Sequence, residues 1–134
     1  MFKCYVCKEY KPQEAFSTNA SRKNGSQTYC KACGIEKQAE WYYKRKHGIT
    51  LQERDNRLEI QDGKCAICFE DIKFNDGKAR GSNTGEHAVV DHCHSTLKIR
   101  GVLCGHCNTG LGAFKDNPGF LLLAVEYLEN SVKV

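Results

Sequence analysis

Along the chain, apolar residues fall at helical spacing in three places and gather into strand-like runs in two. From Ile35 to His47, the residues Ile35, Ala39 and Tyr42 share one side while Lys37, Lys44 and Arg45 lie elsewhere. Gly48 is placed to end that helix. Thr50-Leu51-Gln52-Glu53 then reads as a capping box that opens a second helix, with Leu51, Leu58 and Ile60 as candidate buried positions. Asp62-Gly63 closes it. Asn117-Pro118 supplies a cap and first position for a third helix, whose Phe120, Leu121, Leu122, Val125 and Leu128 suit a core or a dimer face. Ala88-Val89-Val90 and the run from Ile99 to Leu103 are β-prone, and residues 91–98 join them as a hairpin. A short helix is expected from about Cys104–Cys107. Residues 75–85, with three glycines, predict an exposed loop or the tip of a hairpin.

A chain of 134 residues suits one or two small domains. Units of half that length bury too little surface to stand without a staple. Nine cysteines change the picture, because eight of them fall as Cys-x-x-Cys pairs: Cys4/Cys7, Cys30/Cys33, Cys65/Cys68 and Cys104/Cys107. Taken in order, the pairs close loops of 22 and then 35 intervening residues. Each has the form of a tetrahedral four-thiolate zinc site. Iron on the same thiolates, disulfides, and pairing interleaved between the halves compete with that reading. The N-terminus Met1-Phe2-Lys3-Cys4 lacks the apolar core of a secretory signal, and no stretch is apolar enough to span a bilayer. A reducing compartment, the cytoplasm, is therefore expected, where paired cysteines hold metal more often than they form disulfides.

Charge adds a division of labour. Residues 1–50 hold ten Lys/Arg against four Asp/Glu, a net of +6, whereas residues 51–134 hold ten against twelve, a net of −2. A basic front half suggests an anion-binding arm, although a solvated lysine-rich surface has the same composition. Lys44, Arg45 and Lys46 beside Trp41, Tyr42 and Tyr43 suit a nucleic-acid contact, or an aromatic stripe with a solvated end.

The chemistry gathers in the second half. Phosphodiester hydrolysis needs an activated water, charge stabilisation on the phosphate, and help for the leaving oxygen. An imidazole titrates near working pH, so His92 suits a general base. Asp91 and Asn108 offer hard oxygens suited to a hydrated Mg²⁺, or Mn²⁺ in its place. Zinc would be structural and the second metal catalytic. Lys98 and Arg100 flank the hairpin within reach of a phosphate. Cys93 is left as a free thiol, and His106 is expected to be exposed.

Cys65-Ala66-Ile67-Cys68, Val90-Asp91-His92-Cys93-His94, Ile99-Arg100-Gly101-Val102-Leu103-Cys104 and Cys107-Asn108 together resemble the phage recombination endonuclease VII family, within the His-Me finger or HNH-like nucleases. The resemblance covers roughly residues 50–130. It implies a ββα-metal fold in which Asp91 and Asn108 hold the catalytic metal, His92 is general base, and His94 assists at the phosphate or leaving group. It also makes Cys65, Cys68, Cys104 and Cys107 the structural zinc ligands. The chain departs from the pattern at Cys93, where the family often has Asp. It departs again at Leu111, where junction-resolving members carry an acidic residue. The family's C-terminal extension is also expected to be missing.

The expected architecture is α+β and zinc-stapled. Residues 1–48 form an N-terminal four-cysteine zinc knuckle unit with a basic helix. Through a helical linker, residues 49–134 form an endonuclease VII-like ββα-metal (His-Me finger) domain. The expected function is metal-dependent cleavage of DNA, branched or distorted, of the Holliday-junction-resolving type, in the cytoplasm of an infected bacterial host if phage-encoded. An HNH nicking or homing enzyme and a noncatalytic zinc module that binds nucleic acid are the alternatives. Symmetric cutting of a junction needs two active sites, so the helices at 51–60 and 118–129 are candidate faces for a homodimer.

Overall fold

The computed structural model describes residues 1–75 and 85–131, so most of the turn-rich loop expected at 75–85 lies outside the described residues. The chain divides into two compact units. The first is built on Met1–Asp55, the second on Asn56–Phe74 and residues 85–131.

In the first unit, β1 (Phe2–Lys3) and β2 (Tyr10–Lys11) pair antiparallel around the turn that carries Cys4 and Cys7. A 3₁₀ turn leads into β3 (Phe16–Thr18), which pairs with β4 (Ser26–Cys30) so that Phe16 faces Cys30. The helix α1 (Lys31–His47) follows at once, with Cys30 as its N-cap. It therefore begins four residues before Ile35, where the apolar spacing first becomes visible. Its first turn is committed to Cys33 and shows no apolar repeat. Gly48 ends it in the left-handed conformation (φ 69°), donating its N–H toward the carbonyls of Lys44 and Tyr43. Cys4, Phe16, Cys30 and Cys33 form the core, with Phe2 and Tyr29 packed on it.

The helix α2 (Leu51–Ile60) opens with the expected capping box. Glu53 N–H donates to Thr50 Oγ1 (3.1 Å), and Thr50 N–H donates to Glu53 Oε2 (2.7 Å). Leu58 packs against the core of the second unit, but Ile60 is 83% exposed, contrary to its expected burial. The buried position is Arg54, 2% exposed, whose guanidinium lies 4.9 Å from the centre of the Tyr43 ring and pairs with Asp55 at 2.7 Å. A reading of hydrophobic spacing has no means of finding a buried arginine. The boundary between the units falls at Asp55–Asn56, within α2.

The second unit repeats the plan of the first. A turn carries Cys65 and Cys68, and β5 (Ala88–His92) pairs antiparallel with β6 (Ile99–Cys104). The helix α3 (Gly105–Ala113) then starts on Cys104 as N-cap. The two capping cysteines have the same backbone, φ −70°, ψ 161° at Cys30 and φ −71°, ψ 161° at Cys104. Cys65, Ile72, Ala88, Val102, Leu103 and Cys104 form the core. Gln61 fastens β6 to the turn: its carboxamide oxygen accepts the Val102 N–H (2.9 Å), and its nitrogen donates to the carbonyls of Val102 and Lys64 (both 2.8 Å). One side chain thus satisfies both backbone groups of a fully buried strand residue.

After α3, the helix α4 (Pro118–Ser131) is capped as expected, Asn117 Oδ1 accepting the N–H groups of Gly119 (2.9 Å) and Phe120 (3.3 Å). None of its described residues is buried, so it takes no part in the core. Among the described residues, no helix is long and apolar enough to cross a membrane.

Candidate catalytic hairpin and four-thiolate sites

The sulfurs of Cys4, Cys7, Cys30 and Cys33 lie within 4.8 Å of one another, and so do those of Cys65, Cys68, Cys104 and Cys107. Sequential pairing is therefore realised, and the interleaved alternative is not. A tetrahedron with metal–sulfur bonds of about 2.3 Å has edges of roughly 3.8 Å. Cys68 Sγ and Cys104 Sγ stand 3.8 Å apart, so the donor set fits zinc.

Backbone N–H groups prepare these thiols for a metal. Burial pushes the Cys4 thiol up, but the N–H groups of Cys30, Cys7 and Val6 outweigh it and bring it down to about 6. In the second unit burial again raises Cys65, and the N–H groups of Cys68, Cys104 and Ile67 bring it down to about 6. Cys33, hydrogen-bonded to Cys30 and buried, is pushed up to about 12. Burial and the neighbouring thiols raise Cys107 as well. Each cluster thus holds one thiol that ionises readily and another that needs a cation to do so.

The predicted hairpin brings the candidate catalytic residues to its tip. Asp91 lies opposite Gly101 and His92 opposite Ile99, so Arg100 is an extra residue in β6, a β-bulge. The bulge turns its guanidinium onto Asp91, which is 6% exposed: Nε donates to Oδ2 (2.7 Å) and Nη2 to Oδ1 (2.9 Å). Asp91 holds the Arg100 guanidinium well above its ordinary value, against desolvation. Each carboxylate oxygen keeps lone pairs beyond those given to Arg100. His92 is half-buried, and its ring stacks on that of exposed His94, with centroids 5.1 Å apart and planes at 13°.

Asn108 follows the fourth cysteine in α3, a helix that packs on both β5 and β6, and its side chain is half-buried. Hard oxygens from Asp91 and Asn108 match the donor chemistry of a hydrated divalent ion. Leu111, three positions after Asn108, packs against the apolar core.

Sequence reading missed Asp116. A Schellman motif closes α3, with Asp116 N–H donating to the Leu111 carbonyl and Lys115 N–H to that of Gly112, both at 2.9 Å. Lys115 and Asp116 are both left-handed (φ 57° and 53°). That turn carries Asp116 Oδ2 to 3.3 Å from Arg100 Nη2 and 3.8 Å from His94 Nε2. Its one sequence signal is an Asp just past a glycine-rich helix, too common a pattern to single out. Lys98 is exposed beside the hairpin. On α1, Arg45 lies 5.0 Å from the Trp41 ring and Lys46 5.2 Å from that of Tyr42, while Lys44 is exposed. His106 is exposed, as expected.

A β-hairpin and helix fastened by four thiolates, with Asp91, His92 and Asn108 displayed on them, define a zinc-capable ββα-metal class of site. The family model for recombination endonuclease VII matches residues 40–130, and the chain belongs to that family. Among its relatives, the gene 59 protein of Mycobacterium phage L5 is 36% identical over 85 residues, 63% of this chain and 46% of that protein. The gene 59 protein of Mycobacterium phage D29 is 35% identical over 83 residues, 61% of this chain and 44% of the other. The matched stretch spans under half the length of either relative. Among solved structures, the ββα-Me type II restriction endonuclease Hpy99I aligns over 96% of this chain and 65% of its own, at 28% identity and a TM-score of 0.41.

Proposed function

We propose that the protein is a DNA endonuclease that hydrolyses phosphodiester bonds with Mg²⁺ or Mn²⁺ held by Asp91 and Asn108, its two four-cysteine sites carrying structural zinc. The observation that carries this reading is the buried Asp91 beside His92 on a hairpin that α3, the helix of Asn108, packs against. When bound, the divalent ion supplies charge stabilisation at the scissile phosphate and the departing oxygen. His92 takes the proton of the attacking water through its imidazole. His94, stacked on it, holds the phosphate or assists the leaving group. Lys98 and Arg100, with Lys44, Arg45 and Lys46 on α1, follow the phosphate backbone. The family's description as recombination endonuclease supports branched or distorted DNA of the Holliday-junction type as substrate, and symmetric cutting of a junction would need two active sites, hence a homodimer. The phage relatives support the cytoplasm of an infected bacterial host as its place of action.

One observation favours a second reading. Both oxygens of Asp91 are engaged by Arg100, an arrangement that also suits a noncatalytic zinc module for nucleic acid. A cleavage assay separates the two, using supercoiled plasmid and a synthetic four-way junction with zinc-loaded protein, first in Mg²⁺ and then in EDTA. Metal-dependent cutting of the junction in preference to plasmid is expected. Cutting of plasmid at one site with indifference to junctions would favour a nicking enzyme. No cutting of either DNA would leave the binding module.

A further inference from the structure

The turns that open the two four-cysteine sites share one backbone. Lys8 N–H donates to the Cys4 carbonyl and Phe69 N–H to the Cys65 carbonyl, both at 3.0 Å, and both donors are left-handed (φ 64° and 61°). Their side chains differ. The second turn reads Cys65-Ala66-Ile67-Cys68-Phe69, and the first reads Cys4-Tyr5-Val6-Cys7-Lys8. Nothing in the turn itself therefore requires Tyr5 or Lys8. Tyr5 is 70% exposed and takes no part in the core, and Lys8 Nζ lies 4.3 Å from the centre of its ring.

These two side chains border a concavity of about 440 Å³ that lies wholly within the first unit. Its size is ordinary for a small-ligand site. Phe2 and Phe16, with ring centroids 6.1 Å apart, supply apolar lining, and Lys3 adds a second cation. Gln27, half-buried in the wall, has no hydrogen-bond partner among the described residues. No carboxylate lines the space. Two other concavities differ in this respect, one carrying Glu36, Glu40 and Asp55, the other Glu70, Asp71 and Glu86. Those repel a phosphate, whereas the one at Tyr5 attracts it.

We propose that this concavity takes an unpaired nucleobase of single-stranded DNA, stacked on Tyr5, with its edge on the Gln27 carboxamide and its phosphates on Lys3 and Lys8. The cations call for an anion, and an exposed aromatic ring calls for a flat group whose own faces are free. Bases inside a duplex have their faces covered by neighbours, so paired DNA does not make this contact. The Gln27 carboxamide offers an acceptor and two donors side by side, which suits the edge of a base. The site is separate from the basic end of α1, whose cations serve paired and unpaired DNA alike. The choice of DNA rests on the endonuclease reading, but the pocket uses none of Asp91, His92 and Asn108. The first unit thereby brings the nuclease to DNA that carries unpaired bases.

The test uses the full zinc-loaded chain without magnesium, so that binding is measured in the absence of cleavage. Fluorescence anisotropy follows a labelled oligothymidylate and a blunt duplex of equal length. The oligothymidylate is expected to bind more tightly. Tyr5→Ala should weaken it roughly 5- to 150-fold, the worth of one stacked base, with zinc per chain and duplex affinity unchanged. Tyr5→Phe keeps the ring and should bind as wild type does. Lys8→Ala should lower the salt dependence by about one phosphate contact. A wild-type chain that binds both DNAs equally overturns the proposal, and so does a Tyr5→Ala variant that loses nothing or loses as much on duplex. If Tyr5→Ala sheds zinc, Tyr5→Leu, apolar but without a ring, takes its place under the same criteria. Selective, Tyr5-dependent binding by a chain that cuts no DNA once magnesium is added upholds the pocket and sinks the endonuclease reading instead.

Discussion

Arg100 grips Asp91 with two hydrogen bonds, 2.7 Å and 2.9 Å long, because an extra residue in β6 swings its side chain across the hairpin. Asp91 is buried, and its charge is matched by a side chain 37% exposed. Removing one partner of a fully buried pair costs about 3–5 kcal/mol. Water reaches Arg100, so the loss in Arg100→Ala is discounted to roughly 1–3 kcal/mol. The urea midpoint checks it, and an unchanged midpoint would mean that water alone satisfies Asp91. The sign with pH follows from the raised guanidinium. A cation whose folded pKa lies above its unfolded value contributes stability that is complete below the unfolded value. That stability is lost only as pH rises through the folded value. The deficit should therefore be constant from roughly pH 6 to 9, far below both values for arginine.

Asp116 ties Arg100 to His94. It stands 3.3 Å from the guanidinium and 3.8 Å from His94 Nε2. Asp116→Asn keeps the shape of the side chain and removes its charge. Cleavage is expected to fall on the order of tenfold, the lower end of what misplacing a catalytic group costs, while zinc content and the urea midpoint hold. Plasmid-nicking kinetics beside zinc analysis measure this. Full activity in the asparagine variant would take Asp116 out of the site.

What was legible in the sequence is what local chemistry dictates. The Cys-x-x-Cys spacing gave both four-thiolate clusters, Thr50 and Glu53 gave a cap, and Ala88 to Leu103 gave the hairpin. Three things were not legible. Arg54 is buried by the Tyr43 ring and Asp55, a tertiary solution that no periodicity encodes. The bulge at Arg100 depends on how two strands pair, and their alternation alone does not place it. Asp116 reaches the site through a left-handed turn built from Lys115 and Asp116, where glycine would have been the visible signal. Asp91, His92 and Asn108 could be singled out because their residue types suit hydrolysis; that Arg100 pairs with Asp91, and Asp116 with Arg100, could not.

Acid should strip both four-thiolate sites. Cys4 and Cys65 each sit near 6, below the ordinary thiol value, through backbone N–H groups that overcome burial. A group with a depressed folded pKa contributes stability present above its unfolded value and lost as pH falls through the folded one. The window is therefore from about 8.5, the free thiol value, down to about 6. The raised Cys33 and Cys107 thiols compete with zinc in the same direction, since each must give up a proton to bind. Zinc affinity, followed by competition with a chromophoric chelator, is expected to fall as pH drops, because Cys33 and Cys107 hold their protons throughout that window and zinc must displace them. Affinity that is flat with pH would show that the thiols are already ionised without metal. Cys104→Ser should lower the zinc bound per chain and unfold the second unit, because Cys104 is at once a member of the four-sulfur cluster, a core residue and a helix cap.

His92→Ala is the sharpest test of the chemistry. The side chain is half-buried and stacks on exposed His94, so its loss removes little packing. Zinc content and the urea midpoint should stay at wild-type values. A general base contributes typically about 10²–10⁴-fold, so cleavage is expected to fall by that factor at saturating magnesium. Free imidazole should restore part of it, because the vacated space admits a proton acceptor. Asp91→Asn should behave differently, raising the magnesium concentration needed for half-maximal cutting without responding to imidazole. A His92→Ala enzyme that cuts normally would transfer the proton to another group. His94, with its ring 5.1 Å away, is the first to test in turn.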